Sequence, residues 1–406
     1  MKILQISPQI SYPFDSGGRL SIYGITKSLS ERGHKIIFVT YVKEYPKQEH
    51  IIELKKICEP VFIKWNTNNS LWGIFLNIFS SVPYNISKYY SKKLEYFLKD
   101  FLTKDKIDLV HIDHLHMSWT VDIIKKLTRI PVVLREHNLE MKIMKRFGEV
   151  ESNFILKFYS KIQFKRFLKY EPAQCRKFDR CIMITKEDET ELLELSPEIK
   201  TKVIPAGVDN KLFTLGYLNT IPFSIYHIGS LNWEPNYDGL LWFLSEVFPK
   251  VISKFPETKL YIYSKGIERL VLNDSINKNI ILCGYVKDIW QEILDKQMMV
   301  VPLKVGSGMR IKIIEMLAAG KIVVSTSVGK EGIEVENGQQ ILIADDSNSF
   351  IKTISDIFSN KLDLNKITLS AKEIIKEKYS WESVSIQFES EYLYLIKSSS
   401  NGTKKL

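Results

Sequence analysis

Residues 305–321 read VGSGMRIKIIEMLAAGK. Small residues open the stretch (Gly306, Ser307, Gly308), and an apolar, helix-forming run carrying Arg310, Lys312 and Glu315 completes it. A continuous apolar run precedes it at 298–303 and another follows at 322–325, the pattern of strands buried on both faces. Strand, glycine loop, helix and strand make one βαβ unit. Its loop-to-helix step is suited to an anion, because free backbone N–H groups and the helix dipole both favour negative charge there. Arg310 and Lys312 add the cations that a phosphate requires. Glu315, one helical turn on from Ile311, is placed to accept hydrogen bonds from sugar hydroxyls.

The same alternation runs along the whole chain. Strand candidates in the first half are 3–6, 35–40, 61–64, 109–112, 132–135, 181–185 and 203–205. In the second half they are 224–228, 259–263, 280–282, 298–303, 322–325 and 341–343. Each set suffices for its own doubly wound parallel sheet, and 406 residues exceed what one core usually holds, so two Rossmann-like α/β domains are expected. Residues 1–206 form the first and 223–381 the second, with 207–222 (Gly207, Gly216, Pro222) as linker. A helical pattern over 371–397 breaks at Tyr379-Ser380-Trp381; its later part, 382–397, is expected to cross back onto the first domain. The polar tail 398–406 is expected to be disordered. Two such domains facing each other would leave a cleft at the carboxyl ends of both sheets. Gly17-Gly18-Arg19 opens the helix after the first strand, and Gly229 starts the loop after 224–228; backbone can approach a ligand closely at such glycines. Neither stretch fits GxGxxG, which argues against a dinucleotide cofactor.

A hydrophobic share of 45% and a charged share of 26% describe an ordinary soluble globular protein. From Met1-Lys2 the chain enters a short strand with no signal-peptide core behind it, and no apolar run reaches the roughly 18 residues of a membrane span. Cys58, Cys175, Cys181 and Cys283 show no CxxC pair, so reduced thiols in a cytoplasm are expected. The net charge of +10 lies wholly in the first half: residues 1–220 carry 35 Lys/Arg and 25 Asp/Glu, and 221–406 carry 22 of each. Within it, 142–169 holds eight Lys/Arg and two Glu, with Phe147, Phe154, Phe158, Ile162 and Phe167 interleaved and Lys157, Lys161, Lys165 and Lys169 at every fourth position. Trp72, Phe75, Phe79 and Tyr84, followed by Lys88, Lys92 and Lys93, make a second patch over 71–93. Basic amphipathic helices of this kind suit an anionic membrane surface, which places the protein on the inner face of the plasma membrane as a peripheral protein. The plainer alternative is a pair of surface helices whose aromatic sides pack on the sheet. Nucleic acid is not an expected partner, since the lysines interleave with helix-core aromatics and no nucleic-acid module appears.

Seven segments, in order, resemble glycosyltransferase family 4 (group 1), retaining nucleotide-sugar-dependent enzymes of the GT-B fold. They are GGR (17–19) with LSERGHKIIFVT (29–40), IDLVHIDH (107–114), REHNLE (135–140), KVIPAGVDNKLF (202–213, similar to the family's domain-linking signature), GSLNWEPNYDGLLWF (229–243), CGYVKDI (283–289) and the opening stretch. The resemblance implies transfer of a sugar from a nucleotide-diphosphate sugar, as substrate and with no cofactor, to a glycan or lipid-diphosphate-linked acceptor. It also implies retention of anomeric configuration and a setting in bacterial surface polysaccharide biosynthesis. No DxD pair stands in a loop position, so no metal is expected.

The family has two glutamates eight positions apart. Glu315 stands at the second, which orients the donor ribose; the first falls on Ser307. The family's cations after the first strand of the second domain are replaced by neutral Ser230 and Asn236. This resembles a subgroup in which SGMRIKIIE replaces the two-glutamate loop, and it implies that Arg310 and Lys312 bind the diphosphate and stabilise the leaving group. Donor contacts are further implied for Gly17, Gly18, Arg19, Gly229, Gly284, Tyr285, Val286, Gly306, Ser307, Gly308, Met309 and Ile311. On the acceptor side, Asp113 stands where many relatives carry a histidine; it would hold a sugar hydroxyl or the acceptor nucleophile, or else cap the following helix. His137 and Asn138 are expected to face the cleft, and His111 reads as a buried core histidine. A metal held by His111, Asp113 and His116 is disfavoured, on the expectation that strand alternation sends them apart. Two other readings are a GT-B nucleotide-sugar 2-epimerase, which has no use for the basic helices, and a non-enzymatic nucleic-acid-binding protein.

Overall fold

The computed structural model describes residues 1–13, 17–151, 153–215, 220–271, 277–306 and 308–402; Ser307 and Gly216 lie outside them. The chain forms two compact units, Met1–Gly207 with the C-terminal segment from Trp381, and Val208–Ser380.

Among its described residues the first unit holds seven strands: β1 (Lys2–Ser7), β2 (Lys35–Val42), β3 (Glu59–Lys64), β4 (Leu109–Asp113), β5 (Val132–Glu136), β6 (Arg180–Met183) and β7 (Thr201–Val203). All pair in parallel, in the order β3-β2-β1-β4-β5-β6-β7. The strand order therefore reverses between β1 and β4. Helices cover both faces, which is why the central strands read as unbroken apolar runs. On one face the covering is completed from far along the chain: Trp381, Val384, Phe388 and Tyr392 of the helix Trp381–Gly402 bury against Ile3, Ile25, Leu29 and Leu109. Trp381 sits on bare backbone, since a Cβ at Gly24 would come within 2.1 Å of its ring and one at Gly207 within 2.5 Å. Glu389 of the same helix accepts from Arg32 Nε at 3.0 Å and pairs with His34 at 3.0 Å.

Among its described residues the second unit holds six parallel strands: β8 (Ile221–Ile228), β9 (Lys259–Tyr263), β10 (Ile280–Gly284), β11 (Lys296–Val301), β12 (Ile322–Ser325) and β13 (Leu342–Ile343). Their order is β10-β9-β8-β11-β12-β13, so this sheet reverses between β8 and β11. Apolar clusters lie on its two faces, one around Phe243, Phe248 and Phe350, the other around Met299, Ile314 and Leu317.

Some boundaries differ from the expected ones. β8 begins at Ile221, inside the segment read as a linker, and Asn210–Thr214 forms a helical turn there. Val208 bridges to Ser380, which draws that stretch into the second unit. The helical pattern does break at Ser380, between Leu364–Tyr379 and Trp381–Gly402. The last helix continues to Gly402, past the Ser398 at which a disordered tail was expected; residues 403–406 of that tail lie outside the described residues.

Candidate functional site

In doubly wound sheets, ligands bind beyond the carboxyl ends of the strands where the strand order reverses. Both sets of residues singled out in the sequence lie at such a point, one in each unit.

In the second unit the point lies between β8 and β11. After β11 the chain passes through Gly306 and Gly308 into the helix Ile311–Ala318, whose N-cap position is Arg310. Gly308 has φ of 78°, in the left-handed region that glycine adopts without strain. Arg310 folds back over this loop. Its Nη1 donates to the Gly308 carbonyl at 2.8 Å, its guanidinium lies 5.2 Å from the Trp233 ring centroid, and a Cβ at Gly306 would fall 2.0 Å from its Nη2. Lys312 reaches the other way, under the end of β8, where its Nζ donates to the Ile228 carbonyl at 2.7 Å. A Cβ at Gly229 would come within 2.6 Å of Asn236 Nδ2 and 3.1 Å of Lys312 Nζ. Glycine leaves room for these two side-chain ends where the loop after β8 meets the lysine.

Electrostatics favour an incoming anion here. Burial, and then the charge of Arg310, bring the Lys312 pKa down to about 7. Burial, then Lys312, hold the imidazole of His227 below it at about 3. His227 Nε2 and Asn236 Oδ1 are buried without a hydrogen-bond partner among the described residues. Glu315, one turn into the helix, has its carboxyl raised to about 7 by burial and then by Asp209. The arrangement is two cations crowded at a helix start, with a carboxylic acid that exchanges its proton near neutrality. A diphosphate would relieve the crowding of positive charge.

The other donor-side residues divide. Gly284, Tyr285 and Val286 lie at the carboxyl end of β10, two strands out from β8; Tyr285 is exposed and stacks under Lys265 Nζ at 4.4 Å. Met309 and Ile311 are half-buried, their side chains packed against the core. Trp233, under the Arg310 guanidinium, was not picked out by sequence reasoning; its place three residues past the Ser230 noted as neutral was the available signal.

In the first unit the reversal lies between β1 and β4, and there Asp113 ends β4. Asp113 is fully buried. Its Oδ2 accepts from Gln5 Nε2 at 2.7 Å, and its Oδ1 meets His111 Nε2 at 3.2 Å and His137 Nε2 at 3.3 Å. Gln5 accepts in turn from Thr26, and the other ring nitrogen of His111 bonds the Tyr392 hydroxyl. Burial alone would raise the Asp113 pKa, but His111 and His137 hold it well below the usual carboxylate range. Burial brings the His137 imidazole down to about 4 against the pull of Asp113, so the ring is neutral at physiological pH.

Two expectations are corrected here. His111 and Asp113 do not diverge: they are two residues apart, the strand period returns them to one face, and they bond each other. Asp113 does not cap the next helix, whose N-cap positions are His114 and Trp119; it is enclosed, and its Oδ1 meets His137. His111 is the buried histidine expected. Asn138 is half-buried beside His137.

His114 is an addition. It has a positive φ of 64°, and its ring stacks on His137 with centroids 3.7 Å apart. Arg135 is also fully buried, bonding Ser21 through Nη1 (3.2 Å) and Nη2 (2.9 Å). Ser21 lies on the helix Gly17–Glu31, so this bond ties the Gly17-Gly18-Arg19 start to β5. A Cβ at Gly18 would press on Gln9 at 3.3 Å. Arg19 reaches the Pro13 carbonyl at 3.5 Å. No group of three or more His, Cys, Asp or Glu able to hold a metal ion occurs among the described residues.

Residues 222–360 match the group 1 glycosyl transferases, and residues 16–212 match glycosyltransferase family 4. Among curated proteins the chain is similar to an uncharacterized 44.6 kDa protein in the cps region of Klebsiella pneumoniae, 25% identical over 400 residues, which span 94% of this chain and 97% of that protein. Among solved structures it is similar to sucrose-phosphate synthase from Thermosynechococcus elongatus, at a TM-score of 0.69 and 14% identity over 98% of this chain and 100% of the other. Anabaena HepE in complex with UDP-glucose is similar at a TM-score of 0.63 and 15% identity over 96% and 99%. Likeness at these identities speaks for the fold, and the two family matches, which together run through both units, speak for the lineage. The chain has the GT-B fold and belongs to the group 1 glycosyltransferases of family 4.

Proposed function

We propose that the protein transfers a sugar from a nucleoside-diphosphate donor to a glycan or lipid-diphosphate-linked acceptor, with retention of configuration and without a metal, in the assembly of a surface polysaccharide. The observation that carries this is the Lys312–Gly229–Arg310 arrangement at the reversal point of the second sheet. Loss of a nucleoside diphosphate develops negative charge on phosphate oxygens. Cations and helix N–H groups gathered beside that place stabilise it, as a metal does elsewhere. Glu315 accepts from the ribose hydroxyls, and His137, steadied by Asp113, offers a neutral imidazole to the acceptor hydroxyl. The UDP-glucose bound by the Anabaena relative and the cps setting of the Klebsiella relative support the donor class and the pathway.

A thermal-shift screen of nucleoside diphosphates and their sugars, run on the wild type and on Arg310→Ala and Glu315→Ala, tests the donor site. Stabilisation by at least one nucleotide in the wild type, lost in both variants, is expected; no response, or equal responses in all three, overturns the assignment. Transfer in the presence of a chelator, with the product anomer read by NMR, tests the metal and the stereochemistry.

A further inference from the structure

The first unit presents an apolar face that its own core leaves uncovered. The helix Leu71–Asn77 exposes Leu71 at 88% and Trp72 at 72%, and Phe79 just beyond it is 83% exposed. The first turn of the helix Phe154–Cys175 exposes Phe154 at 80%, Ile155 at 74% and Phe158 at 59%. These two segments are held together. The backbone N–H of Tyr84 donates to Gln163 at 2.9 Å, and Arg166 donates to the Asn77 carbonyl at 2.9 Å and the Ile78 carbonyl at 2.8 Å. The aromatic rings of the shorter helix pack on one another and not on the sheet: Trp72 meets Phe75 edge to face at 5.7 Å, and Phe75 meets Phe79 likewise at 6.2 Å. Bulky side chains exposed in one cluster mark a surface that is covered in use.

The long helix is not amphipathic in the way its sequence suggests. Its exposed apolar and exposed basic residues are separated along the axis: Phe154, Ile155, Leu156 and Phe158 come first, and the exposed lysines follow. Lys161, Lys165 and Lys169 are exposed on the side that carries Phe154 and Phe158, beginning about 4.5 Å along the axis from Phe158 and ending about 16 Å from it. The stretch 142–169 has eight basic residues against Glu149 and Glu151. An apolar tip followed by cations at that spacing matches the depth profile of one bilayer leaflet, acyl boundary first and phosphates next.

We propose that this face docks onto an anionic lipid bilayer, with Trp72, Phe79, Phe154 and Phe158 entering the acyl boundary and Lys161, Lys165 and Lys169 engaging lipid phosphates. Docking of this kind is independent of the nucleotide site and is measured without turnover. Flotation of the intact chain with vesicles of phosphatidylcholine, alone or mixed with phosphatidylglycerol, tests it. The wild type should float with the anionic vesicles and stay behind with the neutral ones. Phe154→Ser/Phe158→Ser and Trp72→Ser/Phe79→Ser should each lower the bound fraction about tenfold, and the triple Lys→Glu change at 161, 165 and 169 should abolish binding. These side chains are exposed, so melting temperature and nucleotide response should match the wild type and show that the variants are folded. Equal flotation of the wild type and the serine variants overturns the proposal, as does equal binding to neutral vesicles. A lipid-free dimer, seen by light scattering and broken by the same serines, would assign the face to a second copy of the chain instead.

Discussion

Lys312 donates its ammonium to the carbonyl of Ile228 at 2.7 Å, closing the end of β8 onto the helix that follows β11. A lysine whose only bond among the described residues is to a carbonyl, next to an arginine, loses hydration and gains no counter-charge from them, so its pKa falls to about 7. A bound diphosphate supplies that counter-charge and pulls the pKa back up. Below pH 7 the lysine is already protonated when the nucleotide arrives; above it, binding takes up a proton. Nucleotide affinity should therefore be flat near pH 6.5 and fall by up to about tenfold per pH unit between 7 and 9. Calorimetry in buffers of different ionisation heat should show proton uptake at pH 8. In Lys312→Met the uptake should vanish and affinity should drop about tenfold to a hundredfold, the loss of a charged hydrogen bond. Unchanged uptake in that variant would remove Lys312 from the site.

Glu315 shows the opposite sign of linkage to stability. Its folded pKa is raised to about 7 from the ordinary 4.5, so between those values the native state holds a proton that the unfolded chain has released. Stability from this group is present below pH 4.5 and is lost as pH rises to 7. Glu315→Gln keeps the neutral shape at all pH values, so its melting temperature relative to wild type should climb from pH 4.5 to 7 and then level off. The same variant should bind nucleoside diphosphate more weakly, because a ribose hydroxyl donates better to a carboxylate than to an amide. Parallel melting curves for the two proteins across that range would show that Glu315 is not held in this state.

The packing of Trp381 predicts a reciprocal pair of effects. Trp381→Ala removes a ring lodged against Gly24 and Gly207 and should cost about 3–5 kcal/mol in urea unfolding. Gly24→Ala places a methyl where only 2.1 Å is available, and should cost about 1–3 kcal/mol by overpacking. In the Trp381→Ala background the same Gly24→Ala change should become neutral or stabilising, since the space is free and alanine favours the helix. Additive costs in the double variant would mean that the two residues do not press on each other.

Much of this architecture was legible in the sequence because parallel strands buried on both faces appear as plain apolar runs, and Ile3–Ile6 or Met298–Leu303 admit few other readings. The proposed donor side was legible because glycines, two cations and a carboxylate lie within one loop and one helical turn. The acceptor-side network was not. Asp113 and His137 are 24 residues apart, and the residues that complete their surroundings, Gln5, Thr26 and Tyr392, come from the first strand, the first helix and the last. No local pattern records such a meeting. Nor does periodicity show that Phe154 and Trp72 are left uncovered, since an aromatic at helical spacing reads as core until the neighbouring elements are in place.

That enclosed network gives the prediction that separates binding from chemistry. Asp113 accepts from Gln5, His111 and His137 and has no exposure, so under the proposed function its effect on turnover should pass through the His137 ring. His137→Ala should lower kcat about a hundredfold, the usual worth of a positioned proton-transfer group, with nucleotide affinity unchanged. Asp113→Asn keeps the volume but presents an amide group where two imidazole nitrogens require a carboxylate, so the ring loses its orientation. A similar fall in kcat is expected, again with unchanged nucleotide affinity. Asp113→Ala should go further and destabilise the fold by about 3–5 kcal/mol, because three buried polar partners lose their acceptor. With the His137 pKa near 4, the wild-type kcat should not titrate on account of this histidine between pH 6 and 8. The decisive comparison is Asp113→Asn against His137→Ala. If the asparagine variant turns over like wild type while the alanine variant is slow, His137 works without Asp113, and the bond between them serves the fold alone.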